Sequence, residues 1–429
     1  MTATKKWTTC RCCGSADLVP LFSIGEQYVS DFPTPTANVN SREYVGENLC
    51  PGAARHRVEI ALDLCRGCTL VQQRFTAPQD FLYSRHYWYR SGVTATMRDH
   101  LADVAYAAWE LGDVGPGDVW LDIGANDGTL LAGVGRAWPG VVRVGVEPAS
   151  NLAAECRKHC DVFVGDFWSA RAYFVKHAAK RGKAKIVTAC GMFYDLEDPN
   201  AFVRDVAAVL HPEGVFVAQL QCLAQTVRLG DMGNLAHEHL EFYSLASLVG
   251  LYARHGLQIY RVEENDVNGG SYRVFARHTR GMELDPSVTR YLIQENADGL
   301  SDPMRYARLY KQMERERAAC RLFVRTALDA GKKVWVYGAS TKGNVILQYY
   351  GIGPDQIVAA ADRSPEKWGR TTANGIPIVS EDEFRRAAPD YALVLPYSFL
   401  TEFVEREAAW LRGGGKFLVP LPEFRVVGG

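Results

Sequence analysis

The sequence lacks a long apolar run, since no stretch approaches the roughly 20 apolar residues that a membrane-spanning helix needs. Its first residues, MTATKKWTTC, lack the apolar segment of a signal peptide. An excess of either charge is also missing, because 48 basic and 49 acidic side chains leave a net charge of −1. Without an overall positive field, non-specific binding of nucleic acid is not expected. We therefore expect a cytoplasmic protein whose partners include neither a membrane nor a nucleic acid.

The cysteines are concentrated near the start of the chain, where six of the eleven fall within the first 80 residues. In a reducing compartment these would be free thiols or metal ligands rather than disulfides. Two Cys-x-x-Cys pairs about fifty residues apart can place four thiolates around one tetrahedral zinc ion. The predicted ligands are Cys10, Cys13, Cys65 and Cys68. Four such ligands leave no open coordination position, so the zinc would be structural; whether Cys12 or Cys50 replaces one of them stays open.

The hydrophobic pattern divides the chain into three parts. Residues 1–80 show little helical periodicity and contain alternating runs such as RVEIALDL at 57–64, which predict strands of a small zinc-binding module. Over 81–325, short apolar runs alternate with helical segments, which predicts a parallel, doubly wound sheet followed by a helical connection. A second alternation begins at KKVWVY, 332–337, and predicts another α/β domain over 326–429. The predicted fold class is therefore α/β, with a zinc module followed by two Rossmann-like domains.

Individual elements can be placed within this scheme. The strands predicted for the central sheet are residues 119–123, 141–146, 162–164, 186–189 and 215–220. Helices are predicted between them at 151–159 and 201–210, and the connection should be helical over 288–297 and 302–330. Many charges lie at helical spacing in 302–330, which favours a solvated connecting helix.

A glycine-containing loop follows the first strand of the central domain, in the sequence VWLDIGANDGTL at 119–130. Glycines after a buried strand permit the tight turn and close backbone approach of nucleotide-binding units. Acidic residues then end the next two strands, at positions suited to a ribose and to an adenine amino group. This order favours S-adenosylmethionine (SAM), although the loop alone would also suit NAD. The predicted cofactor-binding residues are Asp122, Gly124, Asn126, Asp127, Gly128, Glu147, Asp166, Phe167 and Phe193, the last in a loop at the carboxyl edge of the same sheet.

The densest cluster of ionisable side chains is HEHLEFYS at 237–244. Its histidines are two residues apart, so they do not form the H-E-x-x-H zinc motif or share a helix face. A histidine beside a carboxylate suits general acid–base catalysis, because histidine titrates near neutrality and the carboxylate fixes its tautomer. A second cluster, HYWYRSG at 86–92, is predicted to cover a pocket, although each of its rings could also belong to the core.

Two loops of the last domain favour an anionic ligand. The first, YGASTKGN at 337–344, follows a strand and opens a helix, where free backbone amides, hydroxyl groups and one lysine can bind phosphate. It lacks the spacing of an NTPase P-loop. The second, DRSPEKWG at 362–369, ends the next strand, where an acid that binds a ribose or a base belongs. The pair predicts a diphosphate-bearing substrate, although Rossmann-like domains without a ligand carry similar loops.

Together these motifs resemble one family, the three-domain, zinc-containing, SAM-dependent sugar C-methyltransferases that act on nucleotide-linked 4-keto-deoxyhexoses in antibiotic biosynthesis. Eight ordered motifs over about 360 residues carry the resemblance. They are the pair of cysteine knuckles (counted as one motif), YRSGVTATMRDH at 89–100, the glycine loop, MFYDLEDP at 192–199, HEHLEFYS, GGSYRVF at 269–275, YGASTKGN and DRSPEKWGR.

The resemblance implies a base and its helpers. His239 would be the base, with Glu238 and His237 supporting it and tyrosines polarising the keto oxygen. Relatives often carry Tyr or Cys immediately before H-E-H, whereas this chain has Ala236, so Tyr87 and Tyr89 become the tyrosine candidates. The residues expected to bind the substrate are Arg90, Ser340, Thr341, Lys342, Asn344 and Asp362. Relatives also often show W-H-F where this chain has PYSF at 396–399.

The predicted function is that of a SAM-dependent C-methyltransferase that alkylates the carbon α to the ketone of a nucleotide-linked 4-keto-deoxyhexose. Attack by carbon needs a carbanion equivalent, and a ketone supplies one when a base removes an α-proton and the enolate oxygen is stabilised. One alternative is an O- or N-methyltransferase of another small metabolite, which would use the same cofactor loop. A second is a zinc-ribbon protein that binds nucleic acid, against which the neutral charge argues. A monomer or weak dimer is expected.

Overall fold

The protein was analysed as a computed structural model, which describes residues 4–29, 31–34, 56–78, 82, 87–177, 182–231, 233–279 and 283–428. Sheets of four, seven and six strands, with a two-stranded ribbon, follow one another along these residues. The predicted α/β class is therefore confirmed. Cys50, an alternative zinc ligand, lies outside the described residues.

The N-terminal region forms a small antiparallel sheet that it does not complete alone. A ribbon joins β1 (Lys5–Lys6) to β5 (Phe75–Thr76), and the main strands are β2 (Leu18–Tyr28), β3 (Arg57–Cys65) and β4 (Val71–Gln73). The fourth strand, β11 (Glu241–Phe242), comes from the part of the chain that follows the central sheet, and its Glu241 pairs with Gln72. The sequence did not reveal this pairing, because a two-residue strand has no detectable periodicity.

The central sheet has seven strands in the order β12-β13-β10-β9-β6-β7-β8, and β13 runs antiparallel to both of its neighbours. Its strands are β6 (Val119–Ile123), β7 (Val142–Val146), β8 (Val162–Val164), β9 (Ala184–Cys190), β10 (Leu210–Gln221), β12 (Leu257–Asn265) and β13 (Ser271–His278). The predicted strands 119–123 and 162–164 have these observed bounds, whereas those in β9 and β10 extend further than predicted. Turn-forming residues flank the matching pair, which is why the sequence bounds them well.

Helices cover both faces of this sheet. They are α1 (Ala95–Gly112), α2 (Thr129–Ala137), α3 (Ala153–Cys156), α4 (Ala170–His177), α5 (Pro199–Val209), α6 (Leu223–Leu229) and α7 (Leu245–Arg254). Alternating side chains of β6 feed two separate cores: Leu121 packs on one face and Trp120 on the other. The predicted helix 151–159 is shorter than expected, because only α3 within it is helical.

Two helices lead to the last sheet, α8 (Pro286–Asp298) and α9 (Pro303–Asp329). Contrary to the solvated helix that the charges predicted, α9 buries one face, and its Tyr310 ring stacks on Phe22 of β2 with centroids 5.0 Å apart. The charged residues occupy the remaining faces, so charge spacing alone did not reveal the buried stripe.

The last sheet has six strands in the order β16-β15-β14-β17-β18-β19, parallel except for β19. Its strands are β14 (Val334–Tyr337), β15 (Ala360–Asp362), β16 (Ile378–Ser380), β17 (Tyr391–Val394), β18 (Lys416–Val419) and β19 (Arg425–Val427). Its helices are α10 (Thr341–Tyr350), α11 (Glu381–Ala387), α12 (Leu400–Arg406) and α13 (Ala408–Arg412). Across the described ranges, no helix combines the length and apolar character needed to cross a membrane.

Candidate active site

A cavity of about 410 Å³ lies at the carboxyl edge of the central sheet. The loops after β6, β7, β8 and β9 line it, together with the segment before α1, the turn before β11 and the first turn of α10. Parallel strands end at the same edge of a sheet, so these loops meet although they are far apart in sequence. The volume suits a small organic ligand, and two of the three sheet regions contribute walls.

The glycine loop adopts a backbone that favours glycine. Gly124 has φ of +72° and Gly128 has φ of +80°. A Cβ atom on Gly124 would lie 2.8 Å from Cγ of Met192, and one on Gly128 would lie 3.2 Å from the backbone of Cys156. Both positions therefore need glycine for conformation and for space. Gly124 and Asn126 line the cavity.

Glu147 follows β7 and joins the glycine loop. Its Oε2 atom accepts a hydrogen bond of 2.9 Å from the Asn126 amide, and its Oε1 atom accepts one of 2.8 Å from the Ala149 amide. Burial raises the pKa of Glu147, and these two amide bonds oppose that change. Each carboxylate oxygen can accept a second hydrogen bond, so Glu147 retains acceptor capacity for ligand hydroxyl groups at the cavity wall.

The two aspartates of the glycine loop have mainly internal partners. Asp122 is buried and accepts a hydrogen bond of 2.7 Å from the Thr188 hydroxyl, and burial raises the pKa of Asp122 to about 7. Asp127 accepts from the Gly92 amide at 2.8 Å and from the Thr129 hydroxyl at 2.6 Å. These contacts stabilise the loop and hold the segment before α1 against it.

The two residues predicted to contact the adenine, Asp166 and Phe167, have different surroundings in the structure. The Phe167 ring lines the cavity, with 41% of its surface exposed. Asp166 is exposed beside it, and its carboxylate accepts a hydrogen bond of 2.8 Å from the Phe167 amide. Asp166 is not among the residues that line the cavity in the described part of the chain.

Phe193 belongs to the core and not to the predicted cofactor site. Its ring is fully buried and packs against Phe202 and Tyr243, each with a centroid distance of 5.3 Å. The segment Phe193–Asp195 is a 3₁₀ turn, in which successive side chains point in different directions. Tyr194 and Asp195 therefore line the cavity where Phe193 was expected.

The histidine–glutamate motif lies in a tight turn, closed by a hydrogen bond of 3.1 Å from the His239 amide to the Ala236 carbonyl. The Nδ1 atom of His239 lies 2.6 Å from the Asn234 carbonyl oxygen. A carbonyl oxygen can only accept, so Nδ1 carries the proton and the neutral ring keeps its lone pair on Nε2. Burial, with Lys342 second, lowers the pKa of His239 to about 3. His239 lines the cavity as a neutral imidazole, against the edge of the Tyr194 ring.

The other two residues of the motif point to different surroundings. Glu238 lines the cavity, and burial raises the pKa of its carboxyl group to about 7. His237 is buried away from the cavity, with Nε2 at 3.1 Å from the Val58 carbonyl oxygen of β3, and burial lowers the pKa of His237 to about 4. The structure therefore puts His237 in contact with the N-terminal sheet, so any support for His239 would be indirect.

Lys342 brings the last sheet region into the same cavity. It lies in the first turn of α10, and its Nζ atom donates a hydrogen bond of 2.5 Å to Oδ1 of Asn234. Burial lowers the pKa of Lys342 to about 8, opposed by the charges of Asp231, Asp195 and Glu238. Burial also raises the pKa of Asp195 well above its usual range. One ammonium group therefore lies close to several carboxyl groups at this cavity.

Three tyrosines, Tyr87, Tyr89 and Tyr194, line the cavity. Tyr87 is fixed through its backbone by Asn151, whose side chain accepts from the Tyr87 amide at 3.0 Å and donates to its carbonyl at 3.1 Å. The Tyr89 carbonyl accepts a hydrogen bond of 3.1 Å from Asn126 of the glycine loop. Burial raises the pKa of Tyr87 and Tyr194 well above the usual value. All three are therefore protonated donors at neutral pH.

Of the six predicted substrate-binding residues, Thr341 and Lys342 line the cavity. Ser340 caps α10 by accepting a hydrogen bond of 3.0 Å from the Gly343 amide. Asp362 lies 3.2 Å from the Lys367 ammonium, and Arg90 lies 2.9 Å from the Glu366 carboxylate. These pairings satisfy groups that the sequence assigned to a ligand, and nothing in a linear motif distinguishes the two uses.

Asn344, the remaining residue of this set, is buried at 1% exposure. Its Nδ2 atom donates to the Asp31 carbonyl at 3.0 Å, and its Oδ1 atom accepts from the Ala373 amide at 3.0 Å. Both ends of the side-chain amide are therefore used to join α10 to the N-terminal segment.

The four predicted zinc ligands lie together. All four Sγ atoms are within 4.8 Å of one another, with 3.6 Å between Cys10 and Cys68 and 3.5 Å between Cys13 and Cys65. A tetrahedron with Zn–S bonds of about 2.3 Å has S–S edges of roughly 3.8 Å, so this cluster fits a zinc ion. Cys12 is not one of these four, and its Sγ atom lies 3.4 Å from the Ser247 carbonyl oxygen.

No sequence motif singled out Asn234, Gln221 or Asp195 as site residues. Asn234 holds the His239 ring, and the Gln221 amide lies 3.3 Å from the same Nδ1 atom. Asp195 belongs to the motif MFYDLEDP, whose position after β9 predicted a ligand-binding loop, so this signal was available. No pattern identified Asn234 or Gln221, because a sequence motif does not give the directions of the backbone carbonyls and side chains that surround the His239 ring.

Comparison with known proteins agrees with these features. The chain is 30% identical to C-methyltransferase NovU of Streptomyces niveus over 97% of this chain and 96% of that protein. A family model described as "C-methyltransferase C-terminal domain" matches residues 266–422, and one described as "Methyltransferase domain" matches residues 93–262.

Solved structures match a smaller part of the chain. The mitomycin 7-O-methyltransferase MmcR is 20% identical, covering 43% of this chain and 55% of that chain, with a TM-score of 0.35. The magnesium protoporphyrin IX methyltransferase ChlM from Synechocystis, solved with bound SAM, is 14% identical, covering 43% of this chain and 79% of that chain, with a TM-score of 0.31.

Proposed function

Because the chain belongs to the family of SAM-dependent sugar C-methyltransferases, we propose that it alkylates the carbon α to the ketone of a nucleotide-linked 4-keto-deoxyhexose through an enolate. One observation carries the mechanism: a neutral His239 imidazole lines the same cavity as the glycine loop and Glu147. A base and a cofactor site in one cavity are what alkylation of a ketone at its α-carbon requires.

His239 would remove the α-proton. Its Nδ1 proton is held by the Asn234 carbonyl, so the Nε2 lone pair would accept the proton while the C–H electrons form the enolate. A lowered pKa keeps the imidazole neutral near pH 7 but also weakens it as a base, so the imidazolium that forms needs stabilisation in the site. Glu238 lines the same cavity and would favour the imidazolium that forms.

The enolate oxygen needs donors in a site that excludes water. The phenols of Tyr87, Tyr89 and Tyr194 line the cavity, and the ammonium group of Lys342 lines it as well. Preorganised donors of this kind stabilise a developing oxyanion without reorganisation. We propose that Tyr87 and Tyr89 polarise the keto oxygen, that Tyr194 assists them, and that Lys342 offsets the negative charge.

The cofactor site fits SAM, which supplies an electrophilic methyl group when bound. Glu147 has acceptor capacity left for the ribose hydroxyl groups, and the glycine loop has no room for a Cβ atom at Gly124. Phe167 offers an exposed ring at the cavity wall for the adenine. Asp166 is not one of the residues that line the cavity, so it would contact the adenine amino group only from beyond the cavity wall.

The last α/β region, 326–429, would bind the nucleotide part of the substrate. The support is that Thr341 and Lys342 at the start of α10 line the catalytic cavity, so a ligand at this helix terminus reaches His239. The N-terminal module, 1–80, would hold a structural zinc ion through its four clustered cysteines.

The proposed function is tested by incubating the protein with a panel of nucleotide-linked 4-keto-deoxyhexoses in deuterated water. Without SAM, the α-carbon should gain deuterium, which mass spectrometry and NMR detect. With SAM, the same carbon should gain a methyl group. Methylation of an oxygen or nitrogen atom, with no deuterium at the α-carbon, would contradict the proposal.

A further inference from the structure

We propose that Gln73, a residue of the N-terminal zinc module outside the cavity wall, is a positioning residue for His239. The inference rests on the proposed function only in taking His239 as the base. Gln73 ends β4 and is completely buried. It acts through the backbone of the histidine turn and touches none of the reacting atoms.

One side-chain amide holds both ends of the catalytic turn. The Nε2 atom of Gln73 lies 2.5 Å from the carbonyl oxygen of Ala236 and 2.7 Å from that of His239. A primary amide has two N–H donors, so it can make both bonds at once. The backbone amide of Gln73 donates a third bond, of 2.9 Å, to the Leu240 carbonyl.

These bonds matter because the turn belongs to no helix or strand. It lies between α6 and the two-residue strand β11, and a bond of 3.1 Å from the His239 amide to the Ala236 carbonyl closes it. Gln73 fixes the carbonyl of His239 itself, and the Asn234 carbonyl fixes the ring of the same residue. Backbone and imidazole are thus anchored independently, which sets the direction of the Nε2 lone pair.

The zinc module in turn holds Gln73. Arg11 lies inside the first cysteine knuckle, and its NH1 group donates a bond of 2.7 Å to the Gln73 carbonyl. Its Nε atom lies 3.6 Å from the Glu241 carboxylate, and both side chains are fully buried. Gln73 therefore links the knuckle to the histidine turn. The two are distant in sequence, so only the tertiary fold joins them.

Displacement of the base should lower the rate of proton removal more than it lowers the affinity for the ligands. A displacement of about 1 Å in a reacting group can lower a rate about 100-fold, whereas the cavity walls that bind the ligands would stay in place. Loss of Gln73 should therefore reduce the rate constant for α-proton removal and leave the Kd for SAM unchanged. A residue that only stabilised the fold would affect neither quantity while the protein is folded.

The test compares Gln73→Leu with Gln72→Leu in the zinc-loaded full-length protein. Gln72 is next in the same strand, and its side chain contacts the Arg11 amide and the Thr9 carbonyl but neither carbonyl of the turn. We expect Gln73→Leu to lower kcat for deuterium exchange and for methyl transfer about 10- to 100-fold. Its Kd for SAM and its KM should stay within about twofold of wild type, and Gln72→Leu should keep the wild-type kcat.

A second variant separates hydrogen bonding from shape. Gln73→Glu keeps the volume, but a carboxyl group donates to only one of the two carbonyls when protonated and to neither when ionised, so its kcat should also fall below that of wild type. Gln73→Asn, which keeps both donors on a shorter side chain, serves if the other two variants fail to fold. It should show a smaller loss of kcat with unchanged SAM affinity.

Nitrogen-15 NMR of the histidine rings gives a readout that needs no substrate. In Gln73→Leu the His239 ring signals should shift, whereas in Gln72→Leu they should match wild type. Wild-type kcat and an unshifted His239 spectrum in folded Gln73→Leu would overturn the inference, as would an equal loss of kcat in Gln72→Leu. If the wild-type protein exchanges no deuterium, the proposed function fails, and the NMR comparison still decides the role of Gln73.

Discussion

The Lys342 ammonium group donates a hydrogen bond of 2.5 Å to the side-chain oxygen of Asn234, whose backbone carbonyl accepts the Nδ1 proton of His239. One asparagine thus joins the first turn of α10 to the proposed base. The last sheet region and the central sheet therefore build a single site, and changes in either should alter the same chemistry.

Replacing His239 by asparagine should lower the rate of methyl transfer about 1,000-fold or more, because the side chain can no longer accept the α-proton. Affinity for SAM should stay within about twofold, which isothermal titration would measure. His211→Asn is the control, since His211 is absent from the cavity lining in the described residues and its ring only accepts from the Glu213 amide. Normal turnover by His239→Asn would refute the role of His239.

The pH dependence of the methyl-transfer rate should reflect the titration of the Lys342 ammonium group. Burial lowers the pKa of Lys342 to about 8, so the ammonium form persists below that pH and is lost above it. The wild-type rate should therefore fall above about pH 8. In Lys342→Arg the charge persists to much higher pH, so this decline should move upward even if the maximal rate is lower. An unchanged decline in the variant would mean that another group titrates.

Glu238→Gln should change how stability depends on pH. Burial raises the pKa of Glu238 from 4.5 to about 7, so the folded state holds this proton more tightly than the unfolded state. The resulting stabilisation is complete below the pKa that Glu238 has in the unfolded state, and it is lost as the pH rises through the pKa that Glu238 has in the folded state. Between pH 5 and 8, the free energy of unfolding of Glu238→Gln should therefore rise relative to wild type by about 2 kcal/mol. Urea denaturation measures this, and parallel curves would contradict it.

Glu147→Gln should weaken binding of SAM about 10-fold or more. An amide places a donor where the carboxylate now accepts from the Asn126 and Ala149 amides, and it has fewer acceptor sites for a ribose. Glu155→Gln is a suitable control, since Glu155 is a partly exposed residue of α3 that pairs with Lys158. Titration calorimetry with both variants should show the loss in Glu147→Gln alone.

Metal analysis should find one zinc ion per chain. Cys13→Ser removes one ligand from the cluster and should release the metal and lower the thermal stability of the protein. Cys12→Ser should retain the ion, because the Cys12 thiol contacts Ser247 of α7 and lies outside the cluster in the described residues. Loss of zinc from Cys12→Ser but not from Cys13→Ser would show that the ligand set is different.

The sequence predicted features that depend on local patterns. β6 and β8 are short apolar runs between turn-forming residues, and β6 leads directly into the glycine loop, so their positions followed from the chain alone. The two cysteine pairs predicted their own cluster, because each Cys-x-x-Cys turn brings two thiols together. The family was also predicted, since ordered motifs are a property of the sequence.

Side-chain directions and distant partners needed the tertiary structure. Phe193 and Tyr194 are neighbours in one motif, yet a 3₁₀ turn sends one ring into the core and the other into the cavity. Asn344 was predicted to bind substrate, but the Asp31 carbonyl and the Ala373 amide use both of its polar atoms. A linear motif gives the type of a side chain but not which groups already satisfy it.

The sequence by itself thus determined the fold class, the glycine loop, the two cysteine pairs and the histidine–glutamate motif, because each is a local pattern of residues along the chain. Only the tertiary structure decided that Asn234 fixes the His239 ring, that Lys342 enters the same cavity and that Gln73 holds the histidine turn. The Lys342 and Gln73 contacts join residues 108 and 166 positions apart, so packing between sheets sets their distances, whereas the Asn234 contact spans 5 positions and depends on the direction of the backbone in the turn.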